Sequence, residues 1–372
     1  MEFAWQLLIA LVLGAHLLAM NVASAGPLIA AAMRLSFRND SALADACGKR
    51  LAWWSLAALG VGAILGVAMA LMTWSASMEA GGRFPARAYW FACVELVFSA
   101  ACMGLIVGRW RRLRPALLVT IASVTSSNLL YHFPPLMAVF GETAANRTWA
   151  VEPLIDRPTL LTLMRRGEVL SLWAHFSLAS VATAAILAMG IAARCVDDAA
   201  SEGDQLKRLQ TWLARWAFWP TLCQVPVGAW IVVAIGAPSR DALMGGDVVA
   251  SASLLGGVVA ALLLTQGLAY AALGELAEVG YRRLVWLLVI VVLLMTLTLR
   301  SSRSRDDSRQ VGAPDFVGLA ARPTLDSTRR LQPPENRAVP QQRTFPKQEK
   351  RSLPERRRPL CNAHGTKPTP CK

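Results

Sequence analysis

Eight long apolar runs fill most of the chain up to residue 299, and they limit its fold more than any other feature. A helix needs about 20 predominantly apolar residues to cross a hydrocarbon core of about 30 Å. The runs cover residues 4–31, 52–74, 88–108, 115–136, 169–194, 211–236, 248–273 and 283–299. Lipid cannot satisfy backbone polar groups, so spanning segments form helices or closed barrels. The sequence therefore predicts an all-α fold, a polytopic membrane helical bundle of about eight transmembrane helices.

The distribution of charge divides the chain into two regions. The whole chain carries a net charge of +14, and residues 300–372 contribute +10 of it. This segment is rich in Arg, Pro, Gln and Ser and has too little apolar surface to bury a core. We therefore expect a transmembrane helical domain over 1–299 and a basic, disordered tail over 300–372. Because the positive charge belongs mostly to the tail, it does not indicate a nucleic-acid partner.

The loops between the runs differ in their content of Lys and Arg. Positive residues concentrate in segments 34–51, 109–114, 194–210 and 282–283. The positive-inside rule assigns these loops to the cytoplasm and the N-terminus to the outside. We expect a multi-pass protein of the bacterial inner (plasma) membrane in contact with the lipid bilayer. An alternative, in which the first run is a cleaved signal peptide, is disfavoured because no Lys or Arg precedes that run.

Three of the four histidines, His16, His132 and His175, lie in or at the end of an apolar run. An ionisable residue inside a membrane is costly, and by default it marks a functional site. In the predicted topology all three lie in the outer half of the membrane, with His16 roughly 16 Å and His175 roughly 9 Å deep. Imidazoles facing the interior of a helical bundle are the axial ligands that b-type haem requires. The alternative is that each histidine bonds to a neighbouring helix.

A single carboxylate, Glu95, lies near the middle of the third run. Ionisable groups in that position relay protons through lipid in many membrane enzymes. The alternative is a neutral carboxyl that is hydrogen-bonded to a neighbouring helix, because desolvation disfavours the charged form. Glu95 is therefore the candidate for a proton relay.

Several short motifs keep a fixed order along the first five runs. They are His16; Leu65-Gly66-Val67-Ala68 with Leu71; Glu95 with Gly108-Arg109-Trp110; Val119-Thr120 with Ser127-Asn128-Leu129; and His175 with Thr183 and Gly190-Ile191. In this order and spacing, residues 5–195 resemble subunit I of the cytochrome bd-type quinol oxidases. The resemblance implies a haem-binding oxidoreductase that passes electrons from quinol or a cytochrome toward oxygen or another acceptor. It also implies other membrane subunits as partners.

The resemblance assigns roles to the candidate residues. It implies that His16 is an axial ligand of a high-spin haem iron and that His175 binds the iron of a low-spin haem b. Glu95 would lie near the haems or on a proton path. The methionine that completes the low-spin site in the family has no counterpart in residues 245–294, which makes His132 the alternative ligand. The family's Gln-Arg-Gln-Pro-Trp signature and large quinol loop are also missing, and a second membrane carboxylate has only Glu275 and Glu278 as candidates.

Two other functions fit the same pattern of helices. One is a haem-free membrane protein for binding or transport, and the other is a non-catalytic subunit of a respiratory complex. The sequence has no Walker A, G-x-G-x-x-G or H-E-x-x-H motif, so a nucleotide-driven pump and a metalloprotease are not supported. It has no C-x-x-C-H motif, so covalent haem attachment is not supported either.

Overall fold

The computed structural model describes residues 2–37, 42–144, 153–195, 202–276 and 280–311. These ranges are almost entirely helical and contain no β-strand. A π-helical turn at Ala242–Gly246 joins the tenth and eleventh helices. The helices are α1 (Glu2–Ser36), α2 (Ala42–Met72), α3 (Trp74–Gly82), α4 (Ala86–Arg109), α5 (Pro115–Tyr131), α6 (Phe133–Ala144), α7 (Arg157–Met164), α8 (Gly167–Ala193), α9 (Glu202–Ala234), α10 (Ala237–Asp241), α11 (Val248–Ala272) and α12 (Tyr281–Val311).

Eight helical stretches of the described chain are long and apolar enough to cross a membrane. They are Ala4–Ser36, Ala42–Met72, Ala86–Arg109, Pro115–Ala144, Gly167–Ala193, Gly203–Ala234, Val248–Ala272 and Tyr281–Ser302. Each corresponds to one predicted apolar run, so the prediction of an all-α, multi-pass membrane bundle is confirmed. The fourth stretch consists of two helices, α5 and α6, which meet at His132.

The last helix runs past the predicted end of the transmembrane domain. The boundary expected between residues 299 and 300 falls inside α12, which ends at Val311. The Ser239 hydroxyl donates a hydrogen bond to the Ser302 carbonyl, 3.4 Å away, so the helix is still packed on the bundle at that point. The disorder predicted for the remainder of the tail concerns residues outside the described ranges.

Small residues let α1 and α2 pack closely as antiparallel neighbours. A side chain at Gly62 of α2 would collide with the Met20 sulfur, and one at Gly26 of α1 would collide with the Ser55 hydroxyl. Residue numbers therefore rise along α1 as they fall along α2. This register brings the C-terminal half of α2 against the part of α1 that carries His16.

The core is densest at the end of the bundle where the basic loops lie. One hydrophobic cluster there buries Trp110, Met189 and Leu213. The Trp110 indole donates to Asp45 Oδ1, 2.9 Å away, and its carbonyl accepts a hydrogen bond from Arg34. We call this end the inner half, following the predicted orientation.

A smaller layer of helices covers the opposite end, which we call the outer half. The short helix α3 packs on α6 there, and α6 and α7 pack with the first turns of α4 and α8. Their contact is a separate hydrophobic cluster whose buried members are Phe84, Val139, Ile155, Leu163 and Val169. The transmembrane helices between this cap and the inner core carry the candidate site residues.

Candidate functional site

His16 is fixed against the glycine face of α2. Its Nδ1 lies 2.8 Å from the Gly62 carbonyl oxygen, and a Cβ at Gly66 would lie 3.2 Å from its Cε1. A carbonyl only accepts, so Nδ1 carries the proton and donates it, which leaves the lone pair of a neutral ring on Nε2. Metal-binding histidines commonly use this arrangement, with the other ring nitrogen bonded to a backbone carbonyl.

His175 has a buried ring nitrogen that its surroundings do not satisfy. Its Nδ1 is shielded from solvent and has no hydrogen-bond partner among the described residues. A buried donor or acceptor without a partner costs about 1–3 kcal/mol. An additional group that binds this ring, through either nitrogen, would offset part of the cost of burying the imidazole.

The two histidines lie at the same level of the bundle. Ser180 of α8 donates a hydrogen bond to Asn21 Oδ1 of α1, 2.9 Å away, and this bond aligns the two helices. With eight alternating spans, α1 and α8 are the first and fifth and run in the same direction. Each histidine precedes its aligned residue by five positions. Both therefore lie about 7.5 Å from the Asn21–Ser180 bond, toward the outer side.

Helix packing loosens at this level. Residues 172–179 of α8 are all partly exposed, whereas residues 182–192 are buried except for Leu187. On α1 the same change separates residues 15–20 from the buried residues 21–27. Since α8 is contacted by α1, α2, α6, α9 and α12, its partial exposure means that its neighbours stand apart from it there. Both histidines belong to this loosely packed outer half.

Glu95 and His132 form a polar pair between α4 and the end of α5. Glu95 Oε1 lies 3.0 Å from His132 Nδ1, and Asn128 Oδ1 lies 2.9 Å from the same nitrogen. The Asn128 amide donates in turn to the Glu95 carbonyl at 3.1 Å and to the Ser99 hydroxyl at 2.9 Å. The His132 side chain is 46% exposed and that of Glu95 22%, so the pair reaches from the half-buried carboxylate toward the surface. This geometry allows direct proton transfer between the two side chains.

An apolar groove that also contains serine hydroxyls from α5 and α8 runs between α1, α5 and α8. It encloses about 460 Å³ and is lined by Leu28, Ser123, Ser126, Ser127, Leu130, Tyr131, Trp173 and Ser177. The Ser126 hydroxyl is buried and has no hydrogen-bond partner in the described part of the chain. At the outer end, the Tyr131 ring packs edge-on against both Trp173 and His132. The groove thus ends beside the Glu95–His132 pair.

Other residues considered from the sequence lie away from these groups. Glu275 is exposed in the connection between α11 and α12, outside any span, so it is not a membrane-embedded carboxylate. Glu278 lies outside the described residues. Met295, the first methionine after residues 245–294, packs against Gly257 of α11, because its Cε would lie 2.8 Å from a Cβ there. Over the described ranges no three or more His, Cys, Asp or Glu residues form a metal-binding group.

Two comparisons with known proteins found no match to this chain. No protein-family model matches the chain, and no curated protein matches it. The resemblance to cytochrome bd therefore rests on the sequence motifs alone.

Sequence reasoning proposed His16, His132, His175 and Glu95 as candidates but did not name the hydrogen-bonding groups that position them. The Asn128 amide was detectable, because a residue four positions before a helical histidine lies on the same face. The Gly62 carbonyl was not detectable, because a backbone acceptor leaves no residue-type signal. The contact between Glu95 and His132 depends on how α4 and α5 pack.

Proposed function

We propose that this chain is a haem-binding redox protein of the bacterial inner membrane, with His16 and His175 as axial ligands of b-type haem iron. It would carry electrons from quinol or a cytochrome toward oxygen or another acceptor. The observation that supports this most is the placement of two inward imidazoles at one level, in the half of the bundle where packing is loose. When bound, haem supplies the one-electron chemistry that protein side chains lack.

The surroundings of each ring fit a ligand role in a different way. The Gly62 carbonyl holds the His16 ring in the tautomer whose Nε2 is free to bind iron. His175 presents a buried nitrogen with no partner in the described chain, and ligation would offset part of that cost.

Reduction of an acceptor such as oxygen consumes protons, and the Glu95–His132 pair suits their delivery. The carboxylate and the imidazole are 3.0 Å apart, which permits transfer without a bridging water. We assign both residues to proton relay. Because His132 already uses Nδ1 for Glu95 and Asn128, only Nε2 would remain for its alternative role as a haem ligand.

A haem-free membrane protein for binding or transport is the second candidate, and the groove beside α5 favours it. The groove is apolar, yet it contains the buried Ser126 hydroxyl without a partner in the described chain. A lipid-soluble molecule with a hydrogen-bond acceptor fits such a surface. In this case His16 and His175 would be packing residues, and the purified protein would carry no chromophore.

The absorption spectrum of detergent-purified protein separates the two candidates. The haem proposal predicts a Soret band and a b-type α-band that sharpens on reduction. His175→Ala should remove the low-spin part of the reduced-minus-oxidised spectrum, and His16→Ala should remove the part that binds carbon monoxide. His132→Ala is the matched control and should keep both bands.

Three results would count against the assignment. An unchanged spectrum in both His16→Ala and His175→Ala would rule out these residues as ligands. A low-spin electron paramagnetic resonance signal lost in His132→Ala would identify His132 as a ligand instead of a proton carrier. A colourless wild-type protein that remains so after haem is supplied would favour the binding protein.

A further inference from the structure

Two cysteines from distant parts of the sequence meet at the inner end of the bundle. Cys47 is fully buried in the second turn of α2, and Cys195 lies two residues beyond the end of α8. Cys195 packs against the hydrophobic cluster that contains Cys47, and it contacts Arg50, which lies three residues after Cys47 on the same helix. Both are free thiols in this structure.

An arginine completes the group. Arg50 Nη1 donates a hydrogen bond to Cys195 Sγ at 3.3 Å. A guanidinium in this position stabilises the negative charge that sulfur carries when it acts as a nucleophile. Arg50 is exposed and Cys195 is partly exposed, so a water-soluble reagent can reach the Cys195 sulfur. Cys47 is buried.

Packing alone does not require this arrangement. A buried cysteine behaves as a small apolar residue and does not need a second thiol or a cation. Here one thiol is buried and one is accessible, and the accessible one is paired with a positive charge. Reactive cysteines that form reversible disulfides show this combination beside a resolving cysteine.

We propose that Cys47 and Cys195 form a redox-active dithiol that hydroperoxides oxidise to a disulfide. The Cys195 sulfur attacks the terminal peroxide oxygen, the O–O bond breaks, and the leaving alcohol or water takes up the thiol proton. The Cys195 sulfenic acid is then attacked by the Cys47 sulfur, the S–O bond breaks, and water leaves with the Cys47 proton. Two electrons pass from the thiols to the peroxide.

The disulfide would tie the beginning of α2 to the end of α8. These helices carry the groups around both candidate histidines, since α2 supplies the Gly62 carbonyl and α8 carries His175. The proposal does not depend on haem, because the thiols lie at the opposite end of both helices. In the predicted orientation they face the cytoplasm, where a disulfide would be transient.

Peptide mapping of the full-length protein under mild oxidation tests this directly. Purified protein is treated with hydrogen peroxide, free thiols are alkylated, and the protein is digested with trypsin without reductant. Cleavage after Arg194 and Arg50 places the two cysteines in separate peptides. We expect a linked Cys47–Cys195 peptide to become the main form, with the mass of two hydrogen atoms lost, and to disappear on reduction.

Three variants and one control variant test the assignment, so that it does not depend on the folding of any single variant. Cys195→Ser should abolish the linked peptide, and Cys47→Ser should leave Cys195 as a trapped sulfenic acid. Arg50→Gln should slow disulfide formation several-fold, whereas Cys93→Ser on α4 should leave its rate unchanged. Oxidation of Cys195 to sulfinic acid in the wild type with no linked peptide would overturn the proposal, as would an unchanged rate in Arg50→Gln.

Discussion

A buried imidazole has few ways to meet its hydrogen-bonding needs in lipid, and the histidines of this chain meet them differently. His16 donates to the Gly62 carbonyl, and His132 is engaged by Glu95 and Asn128. The Nδ1 of His175 has no partner in the described chain. The position of these residues was predictable from the apolar runs, but their partners depend on packing between helices.

Replacement of the Glu95 carboxyl by an amide distinguishes a role in proton transfer from a role in packing. Glu95→Gln keeps the shape and the contacts of the side chain, but it cannot exchange a proton. We expect turnover with quinol to slow roughly a hundredfold while the haem spectrum stays intact. Oxygen-consumption kinetics measure this, with Glu168→Gln at the start of α8 as the control. Full activity in Glu95→Gln would remove the relay role.

Two elements, α1 and α2, are held together by a row of small residues, and this row also positions His16. The sequence showed the glycines but not which of them face α1, because Gly60 and Gly66 look alike without the register. In the structure a Cβ at Gly66 would lie 3.2 Å from the His16 ring, whereas one at Gly60 would meet nothing within 4 Å.

Substitution of these two glycines tests that difference. Gly66→Val should push the His16 ring off the Gly62 carbonyl, lower the stability by about 1–3 kcal/mol and reduce the His16-dependent haem signal. Gly60→Val should change the stability by less than about 0.5 kcal/mol. Thermal unfolding and the reduced spectrum measure both effects. Equal responses of the two variants would show that the glycine face does not hold His16.

At the outer cap, α7 begins with an aspartate whose ionisation controls its first turn. The Asp156 carboxylate accepts a hydrogen bond from the Thr159 backbone N–H at 3.0 Å, and this bond lowers the pKa of Asp156. A carboxyl with a lowered pKa stabilises the folded helix above its ordinary pKa of about 3.9 and loses this contribution as the pH falls through the lowered value.

We therefore expect the protection of the Thr159 amide, its exchange relative to the unfolded-chain rate at the same pH, to be strong at neutral pH and to be lost once the pH falls below the pKa of Asp156 in the folded protein. Asp156→Ala should show little protection at every pH, because the cap is lost. Asp156→Asn, which still accepts the hydrogen bond, should stay protected across this pH range. Hydrogen exchange followed by mass spectrometry measures all three, and identical pH profiles would contradict the capping role.

For the whole molecule, the number and order of the spanning helices could be predicted from the sequence, since apolar length alone sets them. The break of the fourth span at His132 was not predicted, although Pro134 and Pro135 mark it. The loose outer half was not predictable either, because apolar side chains that face a cavity and those that face lipid look alike in the sequence.

The chain beyond α12 should be dispensable for the bundle. A segment with little apolar surface does not offset a backbone ordering cost of about 1–2 kcal/mol per residue. A stop codon after Val311 keeps the contact between Ser239 and Ser302, and it should leave membrane insertion and the Tm unchanged. A large fall in the Tm of this truncated protein would show that the tail packs on the bundle.

The haem content per polypeptide tests the central claim most directly. Haem b is extracted from purified wild-type protein and from the double variant His16→Ala/His175→Ala, quantified as the pyridine complex and divided by the protein concentration. Circular dichroism confirms that the variant has folded. We predict at least about one haem per wild-type chain and almost none in the double variant, since axial ligation holds the iron. A folded double variant with wild-type haem content, or a wild-type protein without haem, would contradict the account.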